Sequence, residues 1–380
     1  MPSPTRVSGT DTASPTGSLL TTTVPRGYVH RAAVAEVFLT GWESAPTESD
    51  SFIVHAQLPR AHALFAPAHG HQDPLLLLES IRQAGTLLSH AEYGVPFGHQ
   101  FLMWTLSFAA TPAALTTAAT PTDIELHTTC HDIARRGRTI SGMRYEVSVR
   151  RDGVPVATGG ASFGVTSPAV HRRLRAGRPT RTDGGLRPPV RPAEVGHTDP
   201  ANVLLAERSG ETGSPGGEGR NAWTSDRATD WTNGRTNGRT TDRTTDRTNG
   251  WELRVDTDHP ILFDHPVDHI PGMLLIEASR QAARAATGRP DALLLTLNTN
   301  FTRYAELDAP CWIEARVTHP TSYATTPPQD LRVQVTATQR GERVFAADLV
   351  LRQPGEFPSP PPPLPVPSLG AAPPDPRVSR

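Results

Sequence analysis

An α+β fold, in which a curved antiparallel sheet wraps one long central helix and the unit occurs twice, is the architecture this 380-residue sequence predicts. Three observations carry the prediction. An apolar run of helical period, DPLLLLESIRQAGTLLSHAEYG, follows two strand-like segments and precedes four more. A second run, PGMLLIEASRQAA, follows the strand-like WELRVD and again precedes four. The two runs superimpose at an offset of 198 residues, which sets Glu79 on Glu277, Phe65 on Phe263 and His71 on His269. That arrangement describes a tandem (double) hotdog.

Each element has its own signal. The first 26 residues are rich in Ser, Thr, Pro and Gly, lack the charged start and apolar block of a secretory signal, and read as a flexible arm. VHRAAVAEVFLTGW and SFIVHAQLP are Val/Ile/Phe-rich and separated by TESD, which predicts two strands and a turn. A His-rich loop, His62 to His71, leads into the first helix, which Gly94 can terminate. QFLMWTLSFAA, TDIELHTTCHDI, MRYEVSVRRDG and VPVATGGASFGV read as strands, the last two joined by an Asp152-Gly153 hairpin turn. The first hotdog therefore spans 27–168, and the Arg/Gly/Pro-rich stretch 169–187 reads as a linker. The second hotdog spans 188–353, with strand-like pieces at Pro192 to Val195 and Asn202 to Ala206. Within it, 208–250 is a repetitive polar tract with little to bury, expected to be a disordered insertion in a hairpin. LLLTLNTNF, APCWIEARVT, LRVQVTATQRG and VFAADLVLR are its last four strands, and 354–380 is a Pro-rich tail of polyproline type.

Composition narrows the function classes. The formal charge is −1, from 37 basic and 38 acidic residues, so no net field draws the protein to nucleic acid or anionic membrane. Every basic residue is Arg, which reflects a GC-biased coding sequence. No apolar run approaches the roughly 20 residues that span a bilayer, and two cysteines, Cys130 and Cys311, are too few for a disulfide scaffold. A soluble protein of the reducing cytoplasm is expected. No cofactor is called for.

The chemistry concentrates between Phe263 and Gln281, FDHPVDHIPGMLLIEASRQ. A Pro-Gly step opens the helix, and free N–H groups at a helix start can stabilise the oxyanion of a thioester. Gly272 allows close approach of a substrate to that backbone, and Met273 can line a tunnel for an acyl chain between helix and sheet. Glu277, Arg280 and Gln281 lie on one side of the helix, Glu277 as a base for a hydroxyl and Arg280 as a planar fork for a phosphate or ketone oxygen. An exposed ion pair of a few tenths of a kcal/mol is the bland alternative. Against it, the set recurs as Glu79, Arg82 and Gln83. His265, Asp268 and His269 can orient the loop, bind substrate or act as acid and base. A metal is not expected there, because Pro266 and Pro271 make the segment a loop on which His at i and i+4 do not share a face. His69 and His71 repeat the pattern more weakly, and both cysteines read as buried, inert thiols.

Segments spread along the chain, HPILFDHPVDHIPGMLLIEASRQAA in the second half and VHRAAVAEVFLTGW, DPLLLLESIRQAG and LLSHAEYGVPFGHQFLMW in the first, resemble the A-factor synthase family, double-hotdog enzymes of γ-butyrolactone autoregulator biosynthesis. The resemblance implies transfer of a β-ketoacyl group from an acyl carrier protein thioester to the hydroxyl of dihydroxyacetone phosphate. PGMLLIEASRQ also resembles the helix start of 3-hydroxyacyl-carrier-protein dehydratases. Their catalytic His stands eight residues before the Pro, where this sequence has Phe263, and His265 is only six before Pro271. The alternatives to an acyltransferase are a non-catalytic acyl- or lactone-binding regulator and a hotdog thioesterase or dehydratase. No helix-turn-helix pattern supports a DNA-binding lactone receptor.

Overall fold

The structure, a computed structural model, describes residues 22–46, 49–137, 139–181, 185–207, 248–318 and 330–354. The first half runs β1 (Leu39–Ser44), β2 (Ser51–Leu58), α1 (Pro74–Ala91), β3 (Gln100–Ala110), β4 (Thr122–Arg136), β5 (Thr139–Arg151) and β6 (Val154–Thr166). A short helix α2 (Pro168–Leu174) leads to β7 (Leu205–Ala206), β8 (Thr248–Leu253), α3 (Gly272–Thr287), β9 (Leu293–Phe301), β10 (Cys311–Thr318), β11 (Asp330–Gln339) and β12 (Glu342–Arg352). All strands join one antiparallel sheet in the order β1-β2-β4-β5-β6-β3-β9-β12-β11-β10-β8-β7. Read outward from the centre, the second half repeats the first strand for strand. The duplication expected from the two helices is thus a pseudo-symmetric sheet.

The seam is the β3–β9 ladder, from Thr105 opposite Asn300 to Ala109 opposite Thr296. Thr299 fastens it from its side chain, donating to the Leu106 carbonyl at 2.7 Å and accepting from the Leu106 N–H at 3.0 Å. Strand burial alternates along β4, β10 and β11, as one face of the sheet covers the helices. The helices are buried almost all round, and one apolar cluster runs through both halves. Asp152 and Gly153 both have positive φ, at 53° and 76°, as a two-residue hairpin turn between β5 and β6 requires.

Several local expectations differ from what forms. VHRAAVAEVFLTGW yields a strand only from Leu39, and its earlier part is 3-10 turns at Arg26–Val29 and Val34–Glu36. Backbone groups there serve long-range partners: the Ala32 and Ala33 N–H groups donate to the Asp264 carboxylate, and the Glu36 carbonyl accepts from Gln83. The arm is anchored before residue 26, since Val24 is buried and its N–H donates to the Leu39 carbonyl at 2.9 Å. The piece at Pro192 is a 3-10 turn, Pro192–Glu194, and another turn, Pro200–Asn202, precedes β7. The stretch 169–187 begins inside α2, and Arg175 at its end is buried among second-half carboxylates. Of the tract 208–250, residues 208–247 lie outside the described residues, and the remainder opens β8. Leu205 pairs with Leu253 and Ala206 with Glu252, so the tract falls between two hydrogen-bonded strands. Residues 355–380 of the tail and 1–21 of the arm also lie outside the described residues. Among the described residues no helix is long and apolar enough to cross a membrane.

Candidate active site

Both central helices bury the Glu and Gln of the Glu-x-x-Arg-Gln set, and each Gln ties its helix to the chain around it. Gln83 donates to the Glu36 carbonyl at 2.7 Å and accepts from the Phe38 N–H at 3.1 Å. Gln281 repeats this with the Asn202 carbonyl and the Leu204 N–H, both at 2.8 Å. These amides tie each helix to the lead-in of an edge strand, and neither lines the cavity between the halves.

Each Glu sits at the centre of a buried charge cluster. Arg31 Nη2 lies 2.6 Å from Glu79 Oε1, while Arg82 reaches both oxygens, Nη2 to Oε1 at 2.6 Å and Nε to Oε2 at 2.8 Å. In the second half His197 Nε2 is 2.8 Å from Glu277 Oε1, and Arg280 Nη2 is 2.7 Å from Oε2. His197 and Arg31 occupy corresponding positions, each five residues before the carbonyl that accepts from its Gln. Burial pushes both carboxyls up, but Arg31 and Arg82 at Glu79, and Arg280 and His197 at Glu277, hold each down at about 2. A carboxylate with both oxygens engaged by ion pairs and no exposure has no free lone pair to offer a substrate hydroxyl. Neither Arg31 nor His197 belongs to the Pro-Gly helix motif, and only the superposition of the halves singles them out.

The two copies differ in what surrounds them. A cavity of about 410 Å³ lies between the halves, walled by Arg31 and Arg82 of the first and by the loop 262–273 at the start of α3 of the second. Its apolar part includes Phe101, Met103, Leu106, Phe163, Leu275 and Phe301. Met273 lines it, and Gly272 does so with little room to spare, since a Cβ there would meet the Phe301 ring at 3.2 Å. No side chain caps α3, and the Gly272 and Met273 N–H groups have no acceptor among the described residues. His265 and His269 are also in the wall. Asp268 is not. It receives His269 Nδ1 at 2.8 Å and Arg175 Nε at 3.2 Å. Burial pushes Asp268 up, but His269 and Arg175 hold it down at about 2.

At the corresponding place on the other side the described residues close off the start of the helix. The start of α1 is capped by Asp73, whose carboxylate accepts from the Leu75 N–H at 2.9 Å and binds Arg280 Nη1 at 2.5 Å. Arg280 is 1% exposed, against 16% for Arg82 and 11% for Arg31. Arg284 fills the space behind, donating to the Ala292 carbonyl at 3.2 Å. Glu277 and Arg280 therefore form a locked copy and Glu79 backs the open one, with Arg82 presented to the cavity. His69 meets Asp291 on the surface at 3.3 Å, and His71 Nδ1 meets the His69 carbonyl oxygen at 2.9 Å. The histidines that do recur are His62 and His259, whose Nδ1 atoms each accept from two N–H groups of the following turn. Burial raises the thiols of Cys130 and Cys311 to about 11 and about 12. Among the described residues no three metal-ligating side chains converge.

Comparison with known proteins agrees with this architecture. The A-factor biosynthesis hotdog domain (AfsA) family matches residues 12–167 and 238–352. A 2-oxo-3-(phosphooxy)propyl 3-oxoalkanoate synthase of Streptomyces virginiae is 46% identical over 330 residues, 86% of this chain and 97% of that one. A protein of the same name from Streptomyces coelicolor is 37% identical, over 86% of this chain and 90% of its own. Among solved structures, a putative oleoyl thioesterase from Lactobacillus plantarum is similar over 81% of this chain and 98% of its own, with a TM-score of 0.44 and 11% identity, too distant to bear on the chemistry. By its matched residues and its relatives, the chain belongs to the A-factor biosynthesis hotdog domain family, whose curated members are synthases.

Proposed function

We propose that this protein is an acyltransferase that moves a 3-oxoacyl group from an acyl carrier protein thioester to the hydroxyl of dihydroxyacetone phosphate. The product is the 2-oxo-3-(phosphooxy)propyl ester from which a γ-butyrolactone signal is built. The observation that carries this reading is the open cavity, which joins an apolar channel to a guanidinium pair and an uncapped helix start. An acyl chain suits the channel, and the acceptor's phosphate suits the positive charge that Arg31 and Arg82 present to the cavity beyond their contacts with Glu79. The Gly272 and Met273 N–H groups are placed for the carbonyl oxygen as it gains charge. Attack by the hydroxyl oxygen forms the C–O bond, the C–S bond breaks, and the hydroxyl proton ends on the released thiol. The names of the relatives, which join a phosphooxypropyl unit to a 3-oxoalkanoate, support the same pair of substrates. A carrier-protein donor would place the enzyme in the cytoplasm.

The test incubates the purified protein with a 3-oxoacyl carrier protein and dihydroxyacetone phosphate, and follows the ester by mass spectrometry. Ester that requires both substrates is expected. Thioester loss without the acceptor would reassign the protein as a thioesterase, and ligand binding without turnover would reassign it as a regulator.

A further inference from the structure

The open cavity contains an imidazole that the reaction above has not used. His30 is in its wall, at the end of the Arg26–Val29 turn, with φ of 55°. The Nε2 of His30 is 2.8 Å from the Nε2 of His90, in the last turn of α1, and the ring centroids are 5.0 Å apart. His90 Nδ1 is in turn 2.7 Å from the Val95 carbonyl oxygen.

That carbonyl assigns the protons of the pair. It can only accept, so His90 carries its proton on Nδ1 and a lone pair on Nε2. His30 must then donate through Nε2. Its Nδ1 is left as a lone-pair acceptor with no partner among the described residues. Burial, His90 and Arg82 together push His30 down to about 3, so the ring is neutral at any ordinary pH.

The locked copy serves as the control. Gly196, with φ of 77°, stands where the open copy has His30, one residue before His197 as His30 is one before Arg31. Gly288 stands at the position of His90, by the offset that sets Glu79 on Glu277. A Cβ at Gly196 would lie 2.3 Å from the Pro290 carbonyl oxygen and 2.8 Å from Arg284 Nη1, the group that fills the closed side. The imidazole pair is therefore present only where the cavity is open, on a backbone whose counterpart is glycine.

We propose that His30, backed by His90, is the catalytic residue that accepts the hydroxyl proton of the phosphorylated acceptor. The proposal rests on the acyltransferase reading. Arg31 follows His30 directly and Arg82 is close enough to depress it, so a phosphate held by those guanidiniums brings its own hydroxyl toward Nδ1. The phosphate also offsets the cationic field at His30, which raises the basicity of the ring when the acceptor is bound. The O–H bond breaks toward Nδ1 as the oxygen adds to the thioester carbonyl. When the C–S bond breaks, the electron pair leaves with sulfur, and Nδ1–H returns the proton to the thiolate. The Nε2–H bond to His90 spreads the transient positive charge. His265 and His269 are the other imidazoles in the wall, but His265 Nδ1 meets Asp264 at 3.4 Å, and Asp268, the partner of His269, is held by Arg175 on the far side of the loop.

The experiment compares the unsubstituted protein with His30→Asn, His30→Gly and His269→Asn in the ester assay. Asparagine tolerates left-handed backbone, and glycine copies the locked half. The expected result is a kcat lower by about 10²–10⁴-fold in both His30 variants, with the KM for the carrier protein unchanged and folding intact by circular dichroism. Added imidazole should restore turnover to His30→Gly. Either His30 variant retaining kcat within about threefold would overturn the proposal, as would a loss confined to His269→Asn. No ester from the unsubstituted protein would instead overturn the reaction on which the proposal rests.

Discussion

At the scale of the residue, the two helix arginines give the sharpest contrast. Arg82 and Arg280 share a sequence context and a glutamate partner three residues earlier, but only Arg82 faces the cavity. Arg82→Gln should raise the KM for the phosphorylated acceptor by roughly 10–100-fold, the loss expected of one or two charged hydrogen bonds, and also lower stability, since Arg31 alone is left to compensate buried Glu79. Arg280→Ala should leave Asp73 and Glu277 buried and uncompensated, and so lower stability by about 3–5 kcal/mol while any folded enzyme keeps its KM. Steady-state kinetics beside denaturant melts separate the two. The titration of buried groups adds a pH prediction. His30 is held near 3, below its ordinary 6.5, so folding favours its neutral form. That contribution is complete above about pH 6.5 and is lost as pH falls toward 3. Glu79, Glu277 and Asp268 are held at about 2, and their contribution is complete above their ordinary range and lost as pH falls through it toward 2. The melting temperature should therefore decline from about pH 6.5 downward and steepen below about 4.5, and His30→Asn should flatten the upper part. A melting temperature constant from pH 7 to 5 would contradict this.

At the scale of the element, a helix interior is shaped by what crosses it. Gly85 sits within α1 because Tyr145 passes over it, donating from its hydroxyl to the Ile81 carbonyl at 2.8 Å. A Cβ on Gly85 would lie 2.5 Å from that ring. Alanine would gain about 1 kcal/mol of helix propensity but force the ring outward, and overpacking of this kind costs about 1–3 kcal/mol. Gly85→Ala should therefore be neutral to destabilising, and it should weaken acyl-donor binding because Tyr145 lines the cavity. The helix α2 shows the same dependence on distant partners. Its C-terminal Arg175 binds both Glu306 oxygens, at 2.8 and 2.7 Å, donates to the Asp268 carbonyl at 2.6 Å and stacks over Tyr304. Arg175→Ala should loosen the loop before α3, lowering the melting temperature and kcat/KM together. Hydrogen exchange across 262–271 reports it directly.

At the scale of the whole molecule, one sheet and one apolar cluster serve both halves. The cavity also belongs to both, since α1 supplies its arginine and the start of α3 its uncapped end. The halves are therefore expected to unfold together, in a single calorimetric transition whose van't Hoff and calorimetric enthalpies agree. Two resolved transitions would show the duplicated units to be thermodynamically separate.

The sequence by itself determined the duplicated α+β architecture, the order of its strands and the family, because those depend on local period and on residues contiguous in the chain. It also marked the Pro-Gly start of α3 and the recurring Glu-x-x-Arg-Gln sets. Only the tertiary structure decided which copy is open. The answer lies in pairings across more than 200 residues, Asp73 with Arg280 and the Ala32 and Ala33 backbone with Asp264. The same holds for the roles of Arg31, His30 and Arg175, which no residue pattern near them in the chain marks as part of the site. Periodicity reports which face of an element is buried, but the partner of a buried charge is set by the packing of distant segments, and the chemistry of this site depends on those partners.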